Sequence, residues 1–256
     1  MLVEILWRNP RLHYYQGFHD VCTCFLLVLG KRGAIPAAEN VALFFLRDAM
    51  LDSFDPVSRQ LSLVTTLLSL EDPELHQFLT SNNIMAFFTL SWVLTWYSHD
   101  ITDFRKVVRL FDLFMASTPL MPVYVACAIV LSRRRDLFVQ EPDMVHTFLC
   151  SLPQDLTIDI DEIVASAVEL ERKFPPLEVQ KRSGIWLDDC SPVNTYDTEW
   201  HCLSADQHPD RIAAERYLSM PPRKREPWED EVAEMVAAMG GVVAGLVGVE
   251  PTPTES

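Results

Sequence analysis

Tyr14-Tyr15-Gln16-Gly17-Phe18-His19-Asp20 is the stretch of this chain whose residue types and spacing best suit chemistry. The Gln16 amide cannot act as a base at neutral pH, but its donor and acceptor let it orient a water molecule. In GTP hydrolysis a glutamine does this work on the attacking water. Gly17 admits backbone dihedrals closed to other residues, so the amide beside it can be presented on a turn. The apolar run Val21–Leu29 follows at once and predicts a buried helix, with Gln16 projecting from the loop ahead of it. The same residues also read as a plain turn flanked by two packing tyrosines. Both readings stand on the heptapeptide alone.

The elements that must hold this loop are helical. Helix-type spacing recurs along the chain, no run sustains period-two alternation, and the chain has only eight glycines. The fold class is therefore all-α and multi-helical. Val21–Leu29 should stop at Gly30-Lys31-Arg32-Gly33, and Pro36 should lie in the first turn of a helix running to Met50. Asp55-Pro56 opens a helix to about Leu70, and Asp72-Pro73 caps Glu74–Leu79. Ile84–Tyr97 is apolar on nearly every face and predicts a fully buried central helix. Thr102–Ala116 is amphipathic, with Phe104, Val107, Val108, Phe111, Phe114 and Met115 opposite Asp103, Lys106 and Asp112. Arg109 and Asp112, at i and i+3, are expected to pair with each other or with neighbours. Pro122 opens a helix ending near Arg133-Arg134-Arg135. Two more are expected over 143–149 and 161–174, the last stopped by Pro175-Pro176.

Composition bounds the function. The chain has 256 residues, 49% hydrophobic and 22% charged, enough for one large or two small domains. A formal net charge of -15 argues against nucleic acid or an anionic membrane surface as the main partner. Of the six cysteines, Cys22 and Cys24 point to different faces of one expected helix and Cys127 and Cys150 lie in apolar runs, which suits free buried thiols in a reducing compartment. No cysteine or histidine spacing fits a metal site, and no phosphate-binding or dinucleotide loop is present. His76, His99 and His146 have no acid or nucleophile at motif spacing. The run Val21–Leu29 is followed by no small-residue cleavage site, so it is not taken for a signal peptide. Residues 177–231 are rich in Asp, Glu, Pro and Ser and are expected to form an acidic, disordered linker. Residues 232–256 follow as a short apolar helix and tail. Met235–Val249 has no charge and contains Gly241-x-x-x-Gly245, but its fifteen residues fall short of a bilayer.

The heptapeptide belongs to a longer pattern. Asn9-Pro10-x-Leu12-x-Tyr14-x-Gln16-Gly17-x-x-Asp20 is followed by Ser91-Trp92-x-Leu94-Thr95-Trp96-Tyr97-Ser98-His99 and by Arg109-Leu110-Phe111-Asp112. In that order, over residues 1–176, they resemble the TBC domain of Rab GTPase-activating proteins, with Phe111 where the family carries tryptophan. Leu12–Gly17 and Pro119–Tyr124 are most similar to the subfamily anchored in the endoplasmic reticulum, which acts on early-secretory Rabs. The resemblance implies a GTP-bound Rab as partner, a role in membrane trafficking, and a place on the cytoplasmic side of that membrane. It implies no cofactor of the chain's own, since GTP and Mg²⁺ belong to the Rab. Gln16 matches the glutamine finger, and Tyr14, Gly17 and Asp20 match the residues that shape its loop. The family's arginine motif, Ile-x-x-Asp-x-x-Arg, should precede Gln16, and no stretch of the chain matches it. Arg8 and Arg11 are the surrogate candidates. The expectation is a TBC domain lacking its N-terminal helices, weak or inactive as an activator because an arginine finger contributes about 10³–10⁵ in rate. The alternative is a non-catalytic Rab-binding scaffold.

Overall fold

The computed structural model describes residues 1–154 and 159–201, and every regular element among them is helical. The order is α1 (Leu2–Arg8), α2 (Phe18–Phe44), α3 (Asp55–Glu71), α4 (Pro73–Ser81), α5 (Leu90–Leu94), α6 (Phe104–Met115) and α7 (Met121–Ser132). Then come α8 (Arg134–Phe138), α9 (Val145–Ser151), α10 (Ile160–Lys173), α11 (Pro176–Ser183) and α12 (Pro192–His201). Short 3-10 turns stand at Arg47–Met50, Ala86–Thr89 and Pro142–Met144.

Starts and stops follow local chemistry. Asp72 accepts the Leu75 N–H at 3.0 Å ahead of Pro73, and Asp103 and Asp159 accept the N–H groups of Arg105 and Asp161. The central buried helix is α7, where every residue from Met121 to Val130 is buried. A helix apolar all round must be surrounded, and α3, α5, α6 and α10 pack against this one. The Tyr124 hydroxyl donates to the Phe174 carbonyl at 2.7 Å, fastening α7 to the end of α10.

Four sequence expectations change. Ile84–Tyr97 is not the central helix: it breaks into the Ala86–Thr89 turn, the short α5, and a turn in which Trp96 and Tyr97 take φ of 50° and 66°. Gly30 kinks the path at φ 65° and ψ 171°, yet helix resumes at once, so Pro36 lies inside α2 rather than in a first turn. On α6 the buried face is Val107, Leu110, Phe111, Leu113 and Phe114, while Phe104 and Met115 at its ends are exposed. Finally, ordered helix continues past Pro176. In the span expected to be a linker, α11 packs on α3 and α12 on α2, with Val179, Leu187, Ser191 and Val193 buried. Met235–Val249 and the rest of the expected tail lie outside the described residues.

Cys22, Cys24, Cys127, Cys150 and Cys190 are all free thiols, as expected. Burial pushes Cys22 up to about 12 and Cys24 to about 11, which leaves both protonated and unreactive at neutral pH.

Candidate functional site

Gln16 sits at the tip of the loop between α1 and α2, with its side chain exposed. Among the described residues no side-chain hydrogen bond holds the amide. Its neighbours, in contrast, are fixed. Tyr15 donates its hydroxyl to the Leu94 carbonyl at 2.7 Å and stacks obliquely on Phe18, ring centroids 5.8 Å apart. Burial drives the Tyr15 phenol well above its usual value, so it remains a donor.

Gly17 is the N-cap of α2 and has φ 114°. A Cβ placed there would stand 2.8 Å from the Thr95 methyl, inside van der Waals contact. The residue must therefore be glycine for two reasons, conformation and space. Asp20 lies in the first turn of α2, where a carboxylate suits the positive end of the helix. It stands 3.4 Å from His99 Nδ1 and 3.4 Å from His19 Nε2. Tyr14 closes the loop from outside, its hydroxyl 2.9 Å from His19 Nδ1. Gln16, Tyr14, Gly17 and Asp20 are thus brought together, and the 94–99 turn is the platform beneath them.

The platform is itself strained and then locked. Non-glycine residues in the left-handed region cost about 1–3 kcal/mol each. Trp96 offsets this by packing among Phe45, Phe111 and Phe114, with ring centroids 5.6, 5.1 and 5.3 Å away. Phe111 also meets Phe25 of α2 at 5.4 Å, so one aromatic cluster joins α2, the turn and α6. Tyr97 donates its hydroxyl to the Pro122 carbonyl at 2.9 Å. The Thr95 hydroxyl donates to the Ser91 carbonyl at 2.8 Å, and Ser91 Oγ donates to Asp100 at 2.8 Å. Burial raises the Asp100 carboxyl, the Ser91 bond opposing that rise.

The entry to the loop is anchored on the far half of α2. Asn9 Nδ2 donates to Glu39 Oε1 at 2.9 Å and to the Ile5 carbonyl at 2.9 Å. The His13 N–H donates to the Met50 carbonyl at 2.7 Å. Arg8 shares Glu39, 3.1 Å away, and pairs with Glu4 at 2.5 Å. Arg11 is exposed on the segment between. Glu39 had no signal in the sequence, being an ordinary helix-face acid. Arg109 pairs across helices with Asp161 at 2.7 Å, not with Asp112.

Among the described residues no cluster of histidine, cysteine and carboxylates could hold a metal ion. What the arrangement offers is an exposed amide on a rigid loop, suited to completing a site on another molecule.

Comparison with known proteins places the whole chain rather than the loop. Residues 2–138 match the Rab-GTPase-TBC domain family. The chain is 37% identical over 222 residues to TBC1 domain family member 20 of Homo sapiens, covering 86% of this chain and 55% of that protein. It is 35% identical over 164 residues to GTPase-activating protein gyp10 of Schizosaccharomyces pombe, covering 62% of this chain and 44% of that protein. Small G protein signaling modulator 3 of Bos taurus is 26% identical over 196 residues, 70% of this chain and 24% of its own length. The chain spans about half the length of the first of these relatives.

Proposed function

Because the chain belongs to the Rab-GTPase-TBC domain family, we propose that it acts on a GTP-bound Rab by inserting Gln16 into the partner's nucleotide site. There the amide oxygen accepts from the attacking water while the amide N–H₂ donates to a neighbouring acceptor, fixing the water in line with the γ-phosphate. GTP and Mg²⁺ come with the Rab, and the chain supplies position alone. The observation that supports this reading is the contrast at the loop: Gln16 is exposed and unpartnered among the described residues, while Tyr15, Gly17 and Asp20 around it are locked. Membrane trafficking in the early secretory route, on the cytoplasmic side, is the setting this proposal carries.

The same proposal holds the chain's own acceleration to be weak. A guanidinium that neutralises phosphoryl charge needs placement to well under an ångström. Arg8 is instead engaged by both Glu4 and Glu39. Those ion pairs favour the second reading, Rab binding without catalysis.

Single-turnover GTP hydrolysis by an early-secretory Rab, with this chain and with Gln16→Ala, tests both. Acceleration that disappears in the variant supports a working glutamine finger. Saturable binding without acceleration supports the binding-only reading. A folded chain that neither binds nor accelerates any Rab would sink the proposal.

A further inference from the structure

Ser191 is buried where the chain enters α12, and its hydroxyl reaches back to the Arg47–Met50 turn, donating to Asp48 Oδ2 at 2.6 Å. The same oxygen accepts the Val193 N–H at 3.3 Å, so Ser191 caps the helix and latches it at once. The latch holds a compact unit. Asn194 Nδ2 donates to the Leu187 and Asp188 carbonyls at 3.2 and 2.9 Å, tying residues 187–194 onto themselves. Gly184, left-handed at φ 71°, ends α11 just ahead of them. It marks the point from which the unit can swing while α11 stays on α3. In the sequence Ser191 is preceded by Asp188 and Asp189 and followed by Pro192, which biases the serine towards extended backbone.

We propose that Ser191 is a phosphorylation site for a proline-directed kinase, and that its phosphate drives residues 187–196 off the body of the domain. The step carries the γ-phosphoryl of ATP to Ser191 Oγ. An O–P bond forms, the bond from the γ-phosphorus to ADP breaks, and the hydroxyl proton passes to the kinase's base. A hydroxyl this deep is reached only while the unit is open, and the phosphate then bars its return.

The closed pocket is hostile to the added charge of about -1.5 to -2. Ser191 faces a carboxylate, and Asp48 Oδ1 already has no partner among the described residues. Burial raises the Asp48 carboxyl and nearby Asp188 adds to the rise, so the site is short of groups that welcome negative charge. The adjacent cation, Arg47, is committed to the Leu43 and Cys190 carbonyls at 3.1 and 2.5 Å. The positive end of α12 favours a phosphate whether the helix is docked or free, so it does not decide the outcome. Thr118-Pro119 and Thr252-Pro253 share the dipeptide pattern. Thr118, however, donates to Glu171 beside the buried α7, where access means opening the core, and Thr252 lies outside the described residues. This inference does not depend on GTPase activation.

The test is incubation of the full chain with ATP and a purified proline-directed kinase, with a peptide of residues 185–196 as the control substrate. Mass spectrometry should place phosphate on Ser191 of both, more slowly on the folded chain. Hydrogen exchange over residues 187–196 of the modified chain should then quicken about tenfold or more, while α3 and α7 keep their protection. Ser191→Ala should exchange alike with and without the kinase, which assigns the change to this residue and not to Thr118 or Thr252. A kinase that leaves the peptide unmodified, or modifies the peptide and never the chain, overturns the proposal. So does phosphorylated Ser191 with unchanged exchange over 187–196, or a quickening that persists in treated Ser191→Ala.

Discussion

Gly17 answers to two constraints that can be separated by mutation. Its φ of 114° disfavours any L side chain, and the Thr95 methyl occupies the space a Cβ needs. Gly17→Ala should cost about 2–4 kcal/mol, combining dihedral strain with the close contact, and should abolish any Gln16-dependent GTP hydrolysis. Thr95→Ser removes the methyl yet keeps the hydroxyl that donates to Ser91. The double variant should therefore regain the steric part of the loss and not the dihedral part, read as an intermediate midpoint in thermal unfolding. A double variant no better than Gly17→Ala alone would show that the methyl contact does not matter. The glycine and its glutamine were readable in the sequence, because both belong to one short run with a chemical logic. Thr95 and Glu39 were not, since their roles come from chain segments far from the loop that folding brings beneath it.

The turn at 94–97 shows why the reading of elements stopped short. An unbroken apolar run fits a buried helix and a buried turn equally, and no local residue marks Trp96 and Tyr97 as left-handed. Their conformation is imposed by the aromatic cluster, a tertiary cause. The 3-10 turn Arg47–Met50 carries a similar hidden device. Asp48 is buried, accepting from Gln60 Nε2 at 2.8 Å and Ser191 Oγ at 2.6 Å, while its other carboxyl oxygen has no partner among the described residues. Burial raises its titration point above the usual carboxylate value, with the Ser191, Arg47 and Gln60 contacts opposing. A raised carboxyl binds its proton more tightly when folded. Its contribution to stability is thus greatest below the unfolded value and is lost as pH rises through the folded one. Asp48→Asn removes that titration, so its stability relative to wild type should improve as pH rises from about 4 to about 8. Urea unfolding at the two pH values would measure it. A gap that stays constant with pH would mean that Asp48 does not titrate differently on folding.

The whole molecule depends on the segment after Pro176 more than its composition suggested. Its scattered charge and prolines read as a solvated linker, because composition averages over the few residues that pack. Yet Arg47 donates to the Cys190 carbonyl at 2.5 Å, and Gln180 bonds Asn194 at 2.8 Å and accepts the Leu187 N–H at 2.9 Å. Tyr196 meets Phe45 at 6.0 Å, and Phe45 is the ring that also flanks Trp96 under the finger loop. The strap of α11 and α12 therefore touches the same cluster that sets the platform for Gln16. A chain ending after Pro176 would uncover Arg47 and Asp48 and lose the buried side chains of Val179, Leu187 and Val193. Each such side chain is worth about 1.5–3 kcal/mol, a large share of the 5–15 kcal/mol typical of a domain. Compared with a chain ending after His201, the shorter one should melt at least about 10 °C lower, and any Rab affinity should fall with it, since the finger platform loosens. Equal melting points would mean that the strap lies on the domain without supporting it. A lower melting point with unchanged Rab binding would confine its role to stability and detach it from the finger.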